Sequence, residues 1–210
     1  MGRDEMLFKK KIVVLDVETT GFNSFDDDII EVGLVVLDGN LDEVGSLSML
    51  VKPFRDGDIS LIELPKKIVE ITGITDDMIN LYGEPETSVQ NIVKEICDDA
   101  IMVYHNAEFD SQFVKKWGIS SELFYDTLSM SRGLNTELKS HKLGDVVDYY
   151  HIQLENAHRA VNDARATAKL FKAMIEKFEG SHKEYLNTLV PNPKYGVKYQ
   201  PSSKTKIKEG

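Results

Sequence analysis

A mixed α/β architecture, with a central sheet of about five strands flanked by helices, follows from three features of this sequence. Three strand-like runs come first and are separated by short turns. Helical and strand-like segments then alternate, and a long amphipathic helix closes the series. At 210 residues the chain fits one domain with a core large enough to need no disulfide or structural metal.

Lys11 to Leu15 (Lys-Ile-Val-Val-Leu) is a short apolar run of the kind found in strands buried on both faces. Ile29 to Leu37 and Val44 to Val51 read as two more strands, and Asp38-Gly39 between them is a hairpin signal. Pro65 opens a short helix, and Thr75-Asp-Asp-Met-Ile starts a second helical turn. Apolar spacing is helical from Ser88 to Cys97 and strand-like over Ile101-Met-Val-Tyr104. Phe109, Phe113 and Val114 form a helical stripe that ends near Gly118. Leu123-Phe-Tyr125 is a brief last strand, followed by helical segments over Leu128–Arg132 and Leu143–Tyr150. From Ala160 to Phe178, Val161, Ala164, Ala168, Phe171, Ile175 and Phe178 lie on one side of the longest helix.

These elements divide the chain into an N-terminal extension (1–9), a main domain (10–180) and a C-terminal segment (181–210). The last twenty residues contain Pro191, Pro193, Pro201 and five lysines against one acid, Glu209, which predicts a flexible basic tail. A single cysteine, Cys97, excludes an internal disulfide and every multi-cysteine zinc site, and its helical setting makes it a small core hydrophobe. No apolar run approaches the roughly 20 residues of a membrane span, so a cytosolic location without membrane contact is expected. A formal charge of −10 argues against non-specific wrapping of nucleic acid. It leaves room for clustered carboxylates whose bound metals supply the local positive field.

Five residues carry the chemistry. Asp16 and Glu18 stand in Val-Leu-Asp-Val-Glu-Thr-Thr-Gly21, and side chains two apart on a strand share a face. Strand ends are wet and often acidic, so the pair gains meaning from the apolar run before it and the turn after it. Asp110 falls one turn into the helix after the fourth strand, in His105-Asn-Ala-Glu-Phe-Asp, where Asn106 or Asp110 could also be a simple cap. His158 and Asp163 bracket the start of the long helix. Asp163 shares a helical row with Thr167, Leu170 and Met174, where an unpaired carboxylate is costly and a metal removes the cost. His141, His151 and His182 read as surface or packing residues, and Asp26-Asp27-Asp28 as a charged turn. Hard oxygen ligands select Mg2+ or Mn2+, and a pair of such ions ~3.5–4 Å apart suits in-line displacement at phosphorus.

In order and spacing these clusters resemble the DEDDh family of 3′→5′ exonucleases, especially the proofreading exonucleases of bacterial DNA polymerase III. The resemblance spans roughly residues 10–178 and implies a ribonuclease-H-like fold. It implies that Asp16 bridges two divalent ions, that Glu18 and Asp163 complete one, and that Asp110 acts partly through water on the other. His158 becomes the general base, a task suited to an imidazole. Thr19, Thr20, Gly21, His105, Asn106 and Phe109 match positions around the 3′-terminal nucleotide. Thr72, in Ile71-Thr-Gly-Ile-Thr75, stands where relatives often carry histidine.

The implied partners are the 3′ end of single-stranded DNA and a DNA polymerase subunit. Two other readings share the motifs: an RNA-trimming 3′→5′ exoribonuclease or a repair exonuclease, and a catalytically silent docking domain. Intact acids count against the silent domain, because unused buried carboxylates are costly.

Overall fold

The computed structural model describes residues 8–53, 63–120, 123–177, 182–192 and 196–200. Among them β1 (Ile12–Thr19), β2 (Ile29–Leu37) and β3 (Glu43–Lys52) form the opening meander. Helices α1 (Lys66–Thr72) and α2 (Asp76–Tyr82) follow, then the two-residue β4 (Glu84–Pro85) and α3 (Glu86–Cys97). Next come β5 (Ile101–Tyr104), α4 (Ala107–Val114) with a 3-10 turn to Trp117, β6 (Leu123–Asp126), α5 (Thr127–Leu134) and α6 (Leu143–Tyr149). The long α7 (Ala160–Lys177) precedes a C-terminal hairpin of β7 (Asn187–Asn192) and β8 (Gly196–Gln200).

Among the described residues all eight strands join one mixed sheet in the order β4-β3-β2-β1-β5-β6-β7-β8. β1 pairs antiparallel with β2 and parallel with β5, and β5 pairs parallel with β6. The C-terminal ends of β1, β5 and β6 therefore meet at one edge of the sheet, where open α/β sheets bind ligands.

Alternation along β1 separates two cores. Ile12 and Val14 pack with Ala164, Ala168, Phe171 and Met174 of α7. Val13, Leu15 and Val17 pack with Val89 and Val93 of α3 and Phe113 and Val114 of α4. Burying such apolar side chains contributes about 1.5–3 kcal/mol each. The same period of two puts Asp16 and Glu18 on the α7 face, in the row of Ile12 and Val14.

The core is wider than the 10–180 span. Phe8 is buried against Tyr125 and Phe171, and Tyr185 belongs to the same cluster. The C-terminal residues also depart from the flexible tail that their composition predicts. β7 pairs antiparallel with β6 and β8 with β7, so Pro191 and Asn192 are strand residues, as are 196–200. Residues 201–210, which hold three of the five tail lysines, lie outside the described residues. Among the described residues no helix is long and apolar enough to cross a membrane.

Candidate active site

β1 runs four residues past its apolar stretch because pairing with β2 continues through both acids, with Asp16 opposite Gly33 and Glu18 opposite Glu31. Gly33 is required there. A Cβ on it would lie 2.1 Å from the main chain of Ala160 and Val161, so its bareness lets the start of α7 sit on β2. β5 pairs with β1 only as far as Val14. Beyond that point the Val17 amide is taken by a side chain, donating to Asp110 Oδ1 at 3.1 Å. Asp110, in the first turn of α4, is thereby fixed beside β1 and is only 3% exposed.

The start of α7 is held by a different carboxylate. Glu31 is fully buried and accepts from Arg159 Nη2 at 2.7 Å, Arg159 Nε at 3.1 Å and the Ala160 amide at 3.1 Å. The His158 amide donates to Asp163 Oδ2 at 3.0 Å. These bonds fix the main chain of residues 158–160 while leaving the His158 ring exposed. His158 and Asn106 both occupy the left-handed region, with φ of 65° and 78°. Such conformations cost of order 1–3 kcal/mol and persist where the surroundings impose them.

Asp16, Glu18, Asp110, His158 and Asp163 all line one cleft of about 1110 Å3. Its electrostatics are those of crowded acids. Burial holds Asp16 well above the usual carboxylate range, reinforced by the charges of Asp110, Asp163, Glu18 and Glu31. Glu18 is pushed up to about 8 by burial and then by Asp163 and Glu31, against the opposing pull of Arg159. Burial raises Asp110 although the Val17 amide favours its charged form, and burial also raises Asp163.

The donor set fits a hard divalent ion. Asp163 Oδ1 is buried without a hydrogen-bond partner, the kind of atom a cation satisfies. Glu18, His158 and Asp163 each bring one donor atom within 4.8 Å of the others. Asp16 and Asp110 add carboxylates to the same cleft.

The residues expected around a terminal nucleotide separate into two groups. His105, Asn106 and Phe109 line the cleft. Asn106 stands at the N-terminus of α4 without capping it, which leaves its amide side chain to the cleft. His105 is committed on both nitrogens, Nδ1 to Thr127 Oγ1 at 2.8 Å and Nε2 to the His141 carbonyl at 3.0 Å. Thr19, Thr20 and Gly21 instead build the turn after β1. Thr19 Oγ1 donates to the Gly21 carbonyl at 2.5 Å, and Thr20 Oγ1 donates to Asp27 at 3.1 Å. That turn carries Phe22 to the cleft, where its ring meets Phe109 edge-on at 6.2 Å. Asp27 is a turn-builder, accepting from Thr20 and the Asn23 amide. Thr72 is the buried last residue of α1, where its hydroxyl accepts from the Ile74 amide, and it is not part of the cleft lining.

Sequence reasoning missed three features. Glu31 is a lone acid within Ile29-Ile-Glu-Val-Gly-Leu34, and an acid inside a strand buried on both faces is itself a signal. Asp126, 2% exposed at the end of β6, accepts from the amides of Asn106 at 2.9 Å and Leu128 at 3.0 Å. Its position, straight after an apolar strand, repeats that of Asp16. His141 is part of the cleft wall and more than a surface residue, with Nδ1 2.8 Å from Ser131 Oγ.

Comparison with known proteins identifies the family. The RNase T exonuclease family matches residues 13–171. The DNA polymerase III PolC-type protein of Clostridium perfringens is 40% identical over 185 residues, covering 85% of this chain and 12% of that protein. Its counterpart in Thermotoga maritima is 37% identical over 173 residues, covering 78% of this chain and again 12% of the relative. This chain thus spans about an eighth of those proteins. A solved structure of exonuclease I superposes with a TM-score of 0.70 at 20% identity, covering 81% of this chain and 42% of the other, which extends the likeness to the fold. With the family model matching most of its length, the chain belongs to the RNase T family of exonucleases.

Proposed function

We propose that this chain is a metal-dependent 3′→5′ exonuclease. It acts in the cytosol on single-stranded or frayed DNA ends, releases nucleoside monophosphates and proofreads for a DNA polymerase. The observation that carries the reading is the unpartnered, buried Oδ1 of Asp163 among carboxylates that burial and mutual repulsion hold above their ordinary range. Its likeness to PolC-type polymerases supports the proofreading role.

Asp16, Glu18, Asp110 and Asp163 would hold two divalent ions, Mg2+ or Mn2+. Bound there, the ions would polarise the phosphoryl group and offset the charge developing on the leaving oxygen. The chain's own residues do the rest. The exposed ring of His158 can accept a proton from water entering beside Glu18 and Asp163, which needs the neutral imidazole. Asp163 holds the His158 amide and Glu31 holds the next two residues, so the main chain that carries the base is fixed before substrate arrives. Phe109 and Phe22 offer apolar ring surface to a terminal base, and Asn106 offers an amide. Only an unpaired end can enter such a cleft, because a paired terminus must first unstack at a cost of a few kcal/mol.

Digestion of 3′-labelled and 5′-labelled single-stranded DNA beside a matched RNA tests the reading. Mononucleotides should leave from the 3′ end in Mg2+ or Mn2+, and excess EDTA should stop the reaction. Mismatched primer ends should be trimmed faster than matched ones, with all four mismatched bases leaving at similar rates. Release of 5′ nucleotides or cuts in a closed circle would overturn the assignment. Much faster digestion of RNA would transfer the function to RNA trimming, and no hydrolysis with either metal would make the chain a silent docking domain.

A further inference from the structure

The cleft that holds the carboxylates also carries a group of cations. Arg132, in the last turn of α5, and Lys139 and Lys142, in the segment leading to α6, all line it. Among the described residues none of the three is paired with a carboxylate, a feature they share with other lysines such as Lys169, and what sets them apart is their place in the cleft that holds the acids. In a chain of net charge −10, three cations from one stretch of sequence lining the acidic cleft are a local concentration of positive charge.

This part of the cleft is also built rather than loose. The His141 carbonyl is bonded by the half-buried His105 ring just after β5, and the His141 ring meets Ser131 of α5. Ser140 bonds Asp145 of α6, and Tyr149 bonds Glu137 at 2.5 Å. Lys139 and Lys142 therefore flank a fixed point tied to the strand end that borders the acids. Both lysines are exposed, and their neighbouring acids are engaged with other groups.

We infer that Arg132, Lys139 and Lys142 bind the sugar-phosphate backbone of a single strand upstream of its scissile phosphate, in a way that does not depend on base sequence. The inference rests on the nuclease reading above and adds the direction of the strand. Its 3′ end lies at Asp16 and Asp163, and its body runs along α5 and the start of α6. Point charges on flexible stems suit this task, since lysine and arginine neutralise phosphates without reading bases.

Two substrates distinguish these cations from the chemistry. Thymidine 5′-(p-nitrophenyl phosphate) has no upstream phosphate, while a single-stranded 12-mer of dT has several. The test compares wild type with Lys139→Gln, Lys142→Gln and the double variant in Mn2+, over a range of salt. Each substitution should raise KM for the 12-mer roughly threefold or more at low salt, and lower the salt slope by about 0.7 for each phosphate no longer neutralised. Hydrolysis of the nitrophenyl ester should stay within about twofold of wild type, because the substitutions are at exposed positions. Equal losses on both substrates, or an unchanged salt slope on the 12-mer, would overturn the inference. A wild-type chain that cleaves neither substrate would instead remove the nuclease reading on which it depends.

Discussion

The two ends of the parallel strands β1, β5 and β6 both carry a hollow and both carry acids, yet their chemistry is opposite. At the N-terminal end a hollow of about 480 Å3 is lined by Lys10, Lys94, Cys97, Asp98, Asp99, Ile101 and Leu123 among others. Asp99 there is exposed and bonded to Lys10, which pulls its carboxyl below the ordinary range. The Cys97 thiol is pushed up to about 12 by burial, so it is inert as a nucleophile. At the C-terminal end the carboxylates are crowded together, raised, and in the case of Asp163 left with an unsatisfied buried oxygen. Acids at strand ends are therefore ordinary. Acids that cannot satisfy one another mark the site.

The largest effect should come from breaking the crowded end. Asp16→Asn should slow hydrolysis on the order of 10³-fold or more, since residues acting as a unit are lost together. Metal-free thermal stability should stay level or rise, because a mutually repelled carboxylate is gone. Asp99→Asn, at the other end, should leave the rate unchanged. A clear stability loss in metal-free Asp16→Asn would mean that the acids are structural.

His158→Ala should cost roughly 10²-fold or more in turnover, the scale of a lost general base, while the protein still takes up divalent ions. A single-turnover assay beside Mn2+ titration separates the two. Retention of full turnover would assign the proton to another group.

Glu31→Gln sharpens the contrast between satisfied and unsatisfied acids. Removing one partner of a fully buried ion pair costs about 3–5 kcal/mol, and the partial exposure of Arg159 places this pair near or below the lower bound. Its loss should destabilise the fold, unlike the loss of Asp16. It should also slow turnover about tenfold with little change in KM, an effect of misplaced geometry that should vanish in a His158→Ala background. Equal slowing in both backgrounds would show that Glu31 does not act through His158.

The smallest effect concerns pH. Glu18 has its folded value raised from 4.5 to about 8, and Asp16, Asp110 and Asp163 are shifted the same way. Between about pH 4.5 and pH 8 the folded state thus binds more protons than the unfolded state, so metal-free stability should fall as pH rises. Thermal melts without metal should drop by a few degrees across that window, and saturating Mg2+ should flatten the curve. A metal-free curve that rises with pH there would mean that the acids are better satisfied than their surroundings imply.

Much of this contrast can be read from sequence, for physical reasons. Apolar runs ending in an acid revealed β1 and its site, and helical spacing revealed α3 and α7. An apolar run stops at the first charge, however, and so ends β1 at Leu15, while Glu31 lies inside a run read as a plain strand and takes its meaning from Arg159, 128 residues away. The dual commitment of His105 was hidden likewise, since its partners are 22 and 36 residues distant. Proline and lysine composition suggests a tail where β7 and β8 extend the sheet; Pro191 is accommodated because it lies beyond Asn187 and Thr188, the residues through which β7 pairs with β6, and β8 is the edge strand. Lys139 and Lys142 are unremarkable in sequence and acquire meaning only as part of the cleft that holds the acids.

Titration with Mn2+ followed by calorimetry, on wild type, Asp163→Asn and Asp99→Asn, tests the central claim that unsatisfied acids at the C-terminal strand ends form a divalent-ion site. Wild type and Asp99→Asn should bind saturably and with equal affinity, and Asp163→Asn should bind at least tenfold more weakly while staying folded. Absence of Mn2+ uptake by wild type, or undiminished uptake by Asp163→Asn, would contradict the account.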